Sequence, residues 1–330
     1  MPTKKTMKLD AKEKSLIGIT MGDPGGIGPE VILKALTSPE IRAAANYVVI
    51  GSEKVLSNIS DRVLSDNISV LDLDNFTVNN ALSHKPLPDS GKASVEYILK
   101  GLDLAINGKI DALVTAPISK EAIKLAGYNY AGHTELLKEK TSVENVVMFM
   151  VGKGLRVSFV TTHLAVNEIS GAINQENVFS TIQITATGLK TFFGIDQPKI
   201  AVCGLNPHCG DGDRFGTEER DVIIPAIERA QEMGINCHGP LSADTVFNKA
   251  LNGEFDIVVV QFHDQGAIPI KMHAFDSGVN ITLGIPVIRT SPTHGTAFDI
   301  AGKGIADPGS MIEAIKTAVM MKEARKHLFV

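Results

Sequence analysis

The chain has 330 residues, more than one hydrophobic core usually supports, so two lobes are expected. It is 44% apolar and 21% charged with a net charge of −5, which argues against a general nucleic-acid binder while leaving room for a local basic pocket. Three cysteines without a CxxC pair argue against a disulfide framework and fit a reducing cytoplasm, and no apolar run is long enough to span a bilayer.

Residues 1–14, "MPTKKTMKLDAKEK", lack the apolar core of a signal peptide and are expected to form a flexible tail. Apolar runs then read as strands: "LIGIT" (16–20), "YVVIG" (47–51), "DALVTA" (111–116), "VVMFMV" (146–151), "RVSFVTT" (156–162), "KIAVCGL" (199–205) and "FDIVVVQF" (255–262). Several are near-continuous in Val, Ile and Phe, as strands covered on both faces are. Helical spacing runs from Val95 to Ala105, Val178 to Phe193 and Asp221 to Met233. This alternation indicates an α/β protein with a largely parallel sheet. No Pro/Ser-rich linker appears, so a domain boundary would be a chain crossing within a compact body.

Between the first strand and a helix lies "GDPGGIGPEV" (22–31). A dinucleotide fingerprint starting from Gly26 and Gly28 would need a glycine where Val31 stands, and Walker A would need Lys-Ser/Thr where Pro29-Glu30 stand. Both patterns fail. What remains is a tight turn with Pro29 in the first turn of a helix.

Three histidines each follow an expected strand: His163 after "RVSFVTT", His208 after "KIAVCGLNP" and His263 after "FDIVVVQF". The carboxyl edge of an open α/β sheet is where ligands bind, and neutral imidazole is a common ligand for zinc-like ions. Each histidine alone could be a solvated strand-end residue. Three in matching positions point to a divalent metal with an open position for substrate. Cys209 reads either as a fourth ligand or as a bystander thiol. Asp264 and Asp244 could each accept from a metal-bound histidine, and Asp244 could instead cap a helix. "GHTELL" (132–137) sets His133 and Thr134 at a helix start that favours an anion, or a cap. Lys271, Asn280 and Arg289 fall in a turn-rich run poor in helical character, and converging cations there would bind phosphate or carboxylate.

The segments "GDPGGIGPE", "TAPISKEAI", "GHTELL", "TTHLAV", "GLNPHCGDGDRFGTEE", "GPLSADTVF", "FHDQG", "GVNITLGIPVIRTS" and "HGTAFDIAGKG" run in order from about residue 16 to the C-terminus. Together they resemble the 4-hydroxythreonine-4-phosphate dehydrogenase family, including its D-threonate and D-erythronate 4-phosphate dehydrogenase relatives. The resemblance implies one divalent ion (Zn2+, Co2+, Mn2+ or Mg2+) on His163, His208 and His263. It implies substrate contacts at His133, Thr134, Lys271, Asn280 and Arg289, with Asp244 and Asp264 maintaining the site and Lys271 transferring a proton or acting electrostatically. It also implies a homodimer with a shared active site, so that the three histidines need not come from one chain.

"GDPGGIGPEV" and "HGTAFDIAGKGIADP" are further similar to "GDGIGPEV" and "HGSAPDIAGKGIANP" of isocitrate and isopropylmalate dehydrogenases. This similarity implies a three-layer α/β/α fold of that type, with two lobes and a cleft between them. The cofactor-side lobe would be 15–140 plus 285–330, and 141–284 the second lobe carrying the metal ligands and dimer contacts. NAD would lie against Gly26, Gly28, Asn206, His294, Gly295, Thr296 and Asp299, with Asp299 suited to a ribose hydroxyl and hostile to a 2′-phosphate. Gly26–Gly28 should therefore lie near His294–Asp299. The implied reaction is metal-dependent, NAD-linked oxidative decarboxylation of a four-carbon 4-phosphorylated 3-hydroxy acid in the cytoplasm, with the amino or hydroxyl group at C2 left open. A phosphate acyltransferase of related fold, needing neither metal nor NAD, is the alternative. Isopropylmalate-type activity is disfavoured because that relative binds its metal through aspartates.

Overall fold

The computed structural model describes residues 14–60, 67–77 and 84–327. Of the tail expected over 1–14, all but Lys14 lies outside the described residues. Eleven strands form one mixed sheet: β1 (Leu16–Thr20), β2 (Asn46–Gly51), β3 (Ile68–Asp72), β4 (Ala112–Thr115), β5 (Val147–Gly152), β6 (Leu155–Phe159), β7 (Ile200–Cys203), β8 (Cys237–Leu241), β9 (Ile257–Val260), β10 (Val279–Leu283) and β11 (Arg289–Pro292). Their order is β3-β2-β1-β4-β11-β10-β5-β6-β9-β7-β8. All seven strands expected from apolar runs are present, β1 with the expected bounds and the others with ends shifted by at most three residues.

The sheet is largely parallel, as the alternation predicts, except at its centre. There β10 runs antiparallel to both β11 and β5, and β5 antiparallel to β6. Strands from 16–115 and 289–292 occupy one half, and strands from 147–283 the other. Side chains alternate between two apolar clusters: Val147 and Phe149 of β5 face one, Met148 and Met150 the other, and β7 and β9 divide the same way. Both faces are thus covered, which is why these strands read as continuous apolar runs. The helices packed on them include α1 (Gly28–Thr37), α2 (Pro88–Ile106), α3 (His133–Thr141), α4 (Gln175–Phe193), α5 (His263–Ala274) and α6 (Gly309–His327). No helix among the described residues is long and apolar enough to cross a membrane.

One expectation is corrected. The run holding Lys271, Asn280 and Arg289 is not turn-rich: Lys271 lies on α5, Asn280 on β10 and Arg289 opens β11. Pro269 inside α5 and Gly266 near its start mask the helix, and β11 is only four residues long with a charged first residue.

Candidate active site

The carboxyl end of β4, the middle of the sheet and the starts of α3 and α5 enclose a cavity of about 310 Å3. All five expected substrate residues, His133, Thr134, Lys271, Asn280 and Arg289, line it. They come from two helices and two strands of different parts of the chain. Arg289 is 1% exposed. Its Nε and Nη2 donate to Thr115 Oγ1 at 3.1 and 2.6 Å, and Nη1 donates to Thr282 Oγ1 at 3.0 Å. Among the described residues no carboxylate pairs with it, and burial alone pushes the guanidinium down to about 9. A buried cation with no anion beside it is a costly arrangement unless a ligand supplies the charge.

His133 opens α3 after Gly132. Burial, and then the nearby Arg289 charge, hold its ring well below the ordinary imidazole range, so it is neutral at physiological pH. Its Nε2 is buried without a partner, as are Glu135 Oε2, Asn280 Oδ1 and His294 Nε2, all on the wall of this cavity. Buried polar groups are normally satisfied, so four orphans around one cavity mark a place for a polar ligand.

His163 and His263 also line the cavity, with ring centroids 5.9 Å apart. β6, β9 and β7 are adjacent and parallel, so all three histidines do share one sheet edge. His263 Nδ1 lies 2.7 Å from Asp264 Oδ1, and His163 Nδ1 lies 3.7 Å from Glu135 Oε1. The His163 ring holds the Glu135 carboxyl below the usual range. The Asp264 carboxylate on His263 Nδ1 leaves Nε2 as that ring's free nitrogen, the arrangement found behind metal-ligating histidines. Among the described residues no three His, Cys, Asp or Glu side chains of the one chain are set to hold a metal. His208 is exposed outside the cavity, in a loop where His208, Cys209, Asp211 and Asp213 all have positive φ. Such a left-handed run of non-glycine residues is strained and is held from below by Glu219, which accepts from Asn206 N and Nδ2.

Asn206 is thus committed to Glu218 and Glu219, apart from the other expected cofactor residues. Asp244 is exposed in the first turn of the helix Ala243–Leu251, where Ser242 holds the cap position. Asp264 is exposed and reaches the cavity only through His263. The two glycine-rich segments meet as expected: Ile27 N–H donates to Thr296 O at 2.9 Å. A Cβ on Gly26 would lie 2.8 Å from Thr296 O, and one on Gly28 would run into Met21 O. These are close backbone approaches that only glycine permits. His294 and Gly295 reach from this contact into the cavity, while Asp299 stands exposed beyond it.

Sequence reasoning missed Glu135, Lys120 and Thr115, all on the cavity wall. Glu135 sits two residues after His133, and Thr115 and Lys120 belong to the "TAPISKEAI" segment, so the signals were present but assigned to capping and to a strand end.

The model of pyridoxal phosphate biosynthetic protein PdxA matches residues 33–318. The chain belongs to the PdxA family. A 4-hydroxythreonine-4-phosphate dehydrogenase from Desulforapulum autotrophicum is 45% identical over 324 residues, 93% of this chain and 95% of that protein. A relative from Oceanobacillus iheyensis named "Putative D-threonate 4-phosphate dehydrogenase" is also 45% identical, over 93% of this chain and 98% of its own. The crystal structure of a 4-hydroxythreonine-4-phosphate dehydrogenase from Klebsiella pneumoniae superposes with a TM-score of 0.85 at 35% identity, covering 95% and 99% of the two chains. An isocitrate dehydrogenase from Methylococcus capsulatus, at 14% identity and a TM-score of 0.50, shares the fold over 96% of this chain and 88% of its own. This PdxA-family chain is an oxidoreductase of the dehydrogenase type. The acyltransferase alternative finds no support in these relatives.

Proposed function

We propose that the chain catalyses NAD-linked, metal-dependent oxidative decarboxylation of a four-carbon 4-phosphorylated 3-hydroxy acid. The substrate is 4-phosphooxy-L-threonine or D-threonate/D-erythronate 4-phosphate, the latter giving dihydroxyacetone phosphate and CO2. The observation that carries this reading is Arg289, buried without a carboxylate and flanked by neutral His133 and the orphaned Asn280 Oδ1. A phosphate or carboxylate group supplies the charge that Arg289 lacks, and a substrate hydroxyl or amino group donates to the orphaned Asn280 Oδ1 and His133 Nε2.

The donor set fits a divalent ion: His163 and His263 stand together on the cavity wall with ring centroids 5.9 Å apart, and His208 of a second copy would complete three ligands. Support for the second copy comes from α5, where Ile268, Met272 and Phe275 at helical spacing are 56%, 84% and 81% exposed beside Lys271. Such an apolar stripe marks an association surface, which we assign to a homodimer with a shared active site. Bound there, a divalent ion acidifies an alcohol and offsets the negative charge of decarboxylation. The orphaned His294 Nε2 and the glycine approach at Gly26 fit a dinucleotide, which when bound accepts hydride.

The chain's own residues then bind and shuttle protons. Arg289, His133, Thr134 and Asn280 grip the anionic end of the substrate. Lys271 Nζ, entering as the neutral amine, takes the hydroxyl proton as the C3–H hydride leaves, and the resulting ammonium returns a proton to carbon after CO2 departs. Asp299, exposed, favours NAD over NADP. The sheet order supports a cofactor-side lobe of 15–140 with 285–330 and a second lobe of 141–284. The three free cysteines suit the cytoplasm, and the net charge of −5 suits small-molecule rather than nucleic-acid partners. The test is chelation: EDTA should abolish substrate-dependent NADH formation and a divalent ion restore it. Activity indifferent to EDTA would sink the metal reading.

A further inference from the structure

We propose that Glu30 and Lys34 of α1 are positioning residues that set the segment 294–306 for dinucleotide binding, an inference that rests on the dinucleotide part of the reading above. Glu30 is 4% exposed, and a carboxylate that buried must be fully compensated. Its Oε1 accepts from Lys34 Nζ at 2.8 Å and from the Ala306 N–H at 2.9 Å. Lys34 Nζ also donates to Gly304 O at 2.9 Å and Ala306 O at 2.7 Å. The three donors of the ammonium group are thereby all assigned, two of them to backbone some 270 residues away in sequence. By spacing alone the pair is an ordinary i,i+4 surface bridge; its acceptors make it something else.

The N-terminus of α1 holds the segment's other end, through the Ile27 N–H to Thr296 O bond. Between these anchors the chain has no strand and only short turns, closed by Ile300 N–H to Ala297 O and Lys303 N–H to Ile300 O. Ala297, Gly302 and Gly304 all have positive φ. No ladder of its own fixes this segment's path, so the clamp from α1 must. A third segment closes the wall: the His84 ring packs against Gly302, with Nδ1 3.4 Å from Gly25 O. The features that fit a dinucleotide, the orphaned His294 Nε2 and the exposed Asp299 carboxylate, ride on the clamped segment.

The test uses the full-length protein and two variants, Glu30→Gln and Lys34→Met, with NADH affinity read by fluorescence titration and phosphorylated-substrate affinity by calorimetry. Lys34→Met keeps the apolar stem on a side chain already 35% exposed but strands the buried Glu30 carboxylate. It is therefore also made together with Glu30→Gln, where no buried charge is left unpaired, and thermal melts confirm that each variant folds. The expected result is NADH binding weakened about tenfold or more in Lys34→Met, with substrate affinity within twofold of wild type. Amide exchange in the ligand-free variant should quicken over 296–306 and not elsewhere. Unchanged NADH affinity, or equal weakening of both ligands, would overturn the proposal while leaving the dinucleotide reading intact. In the wild type, NADH should slow exchange across 294–306. A wild type that neither binds NADH nor shows this protection would overturn both.

Discussion

Replacing Arg289 with methionine should stabilise the ligand-free protein and cripple substrate binding. Burial lowers the guanidinium from 12.5 to about 9. At about 1.4 kcal/mol per tenfold in that equilibrium, keeping the cation buried costs the fold about 4–5 kcal/mol at neutral pH. Because the folded-state value is the lower one, this cost is fully present below about pH 9 and is relieved only as the pH rises through it. Methionine removes the cost and nearly fills the volume, but leaves the Thr115 and Thr282 hydroxyls without their donor, about 1–1.5 kcal/mol each. The net gain is about 2 kcal/mol, a rise in melting temperature of about 3 °C for a chain of this size. Against this, an anionic group loses a bidentate partner whose charged hydrogen bonds are worth about 1.5–3 kcal/mol each, so substrate affinity should fall at least about 100-fold. Thermal melts with and without substrate, and calorimetric titration, measure both arms. A variant that melts lower yet binds substrate normally would show Arg289 to be a structural residue and refute the reasoning.

Asp23, fully buried in the glycine loop and accepting from the Gly25 N–H and Ser90 Oγ, is pushed by burial up to about 6. A raised carboxylate destabilises the fold above that value and stops doing so as the pH falls toward 3.8, so Asp23→Asn should raise the melting temperature at pH 8 and leave it unchanged near pH 4; an equal shift at both would contradict the assignment. Asp299→Ser should raise the NADP-to-NAD ratio of kcat/KM about tenfold or more, measured by initial rates; an unchanged ratio would remove Asp299 from cofactor choice. Mixing His163→Ala and His208→Ala proteins, each inactive alone, should restore about a quarter of wild-type sites if the site spans two copies, and no recovery would place the third ligand elsewhere.

The buried strands were legible because β1, β7 and β9 are apolar on both faces. β3, β8, β10 and β11 were not. β8, "CHGPL", is an edge strand interrupted by Gly239 and Pro240, and β11 carries a charged residue that the cavity explains and periodicity does not. The residues expected to contact substrate were legible as types, but only folding brings the run from 271 to 289 against His133 on one cavity wall. His208 shows the limit most clearly. The end of β7 before it was read from sequence, yet its place is set by a left-handed run of non-glycine residues that no periodicity signals. The contact between Gly26 and Thr296 was expected from the similarity of both segments to isocitrate-type dehydrogenases, and the close approach explains why Gly26 carries no side chain.

The most direct measurement is a substrate panel. Purified protein with NAD+ and a divalent ion is offered 4-phosphooxy-L-threonine, D-threonate 4-phosphate and D-erythronate 4-phosphate, with NADH and CO2 followed together. The account predicts that at least one gives NADH and CO2 in equal amounts. No NADH from any of the three, or NADH without CO2, would contradict it.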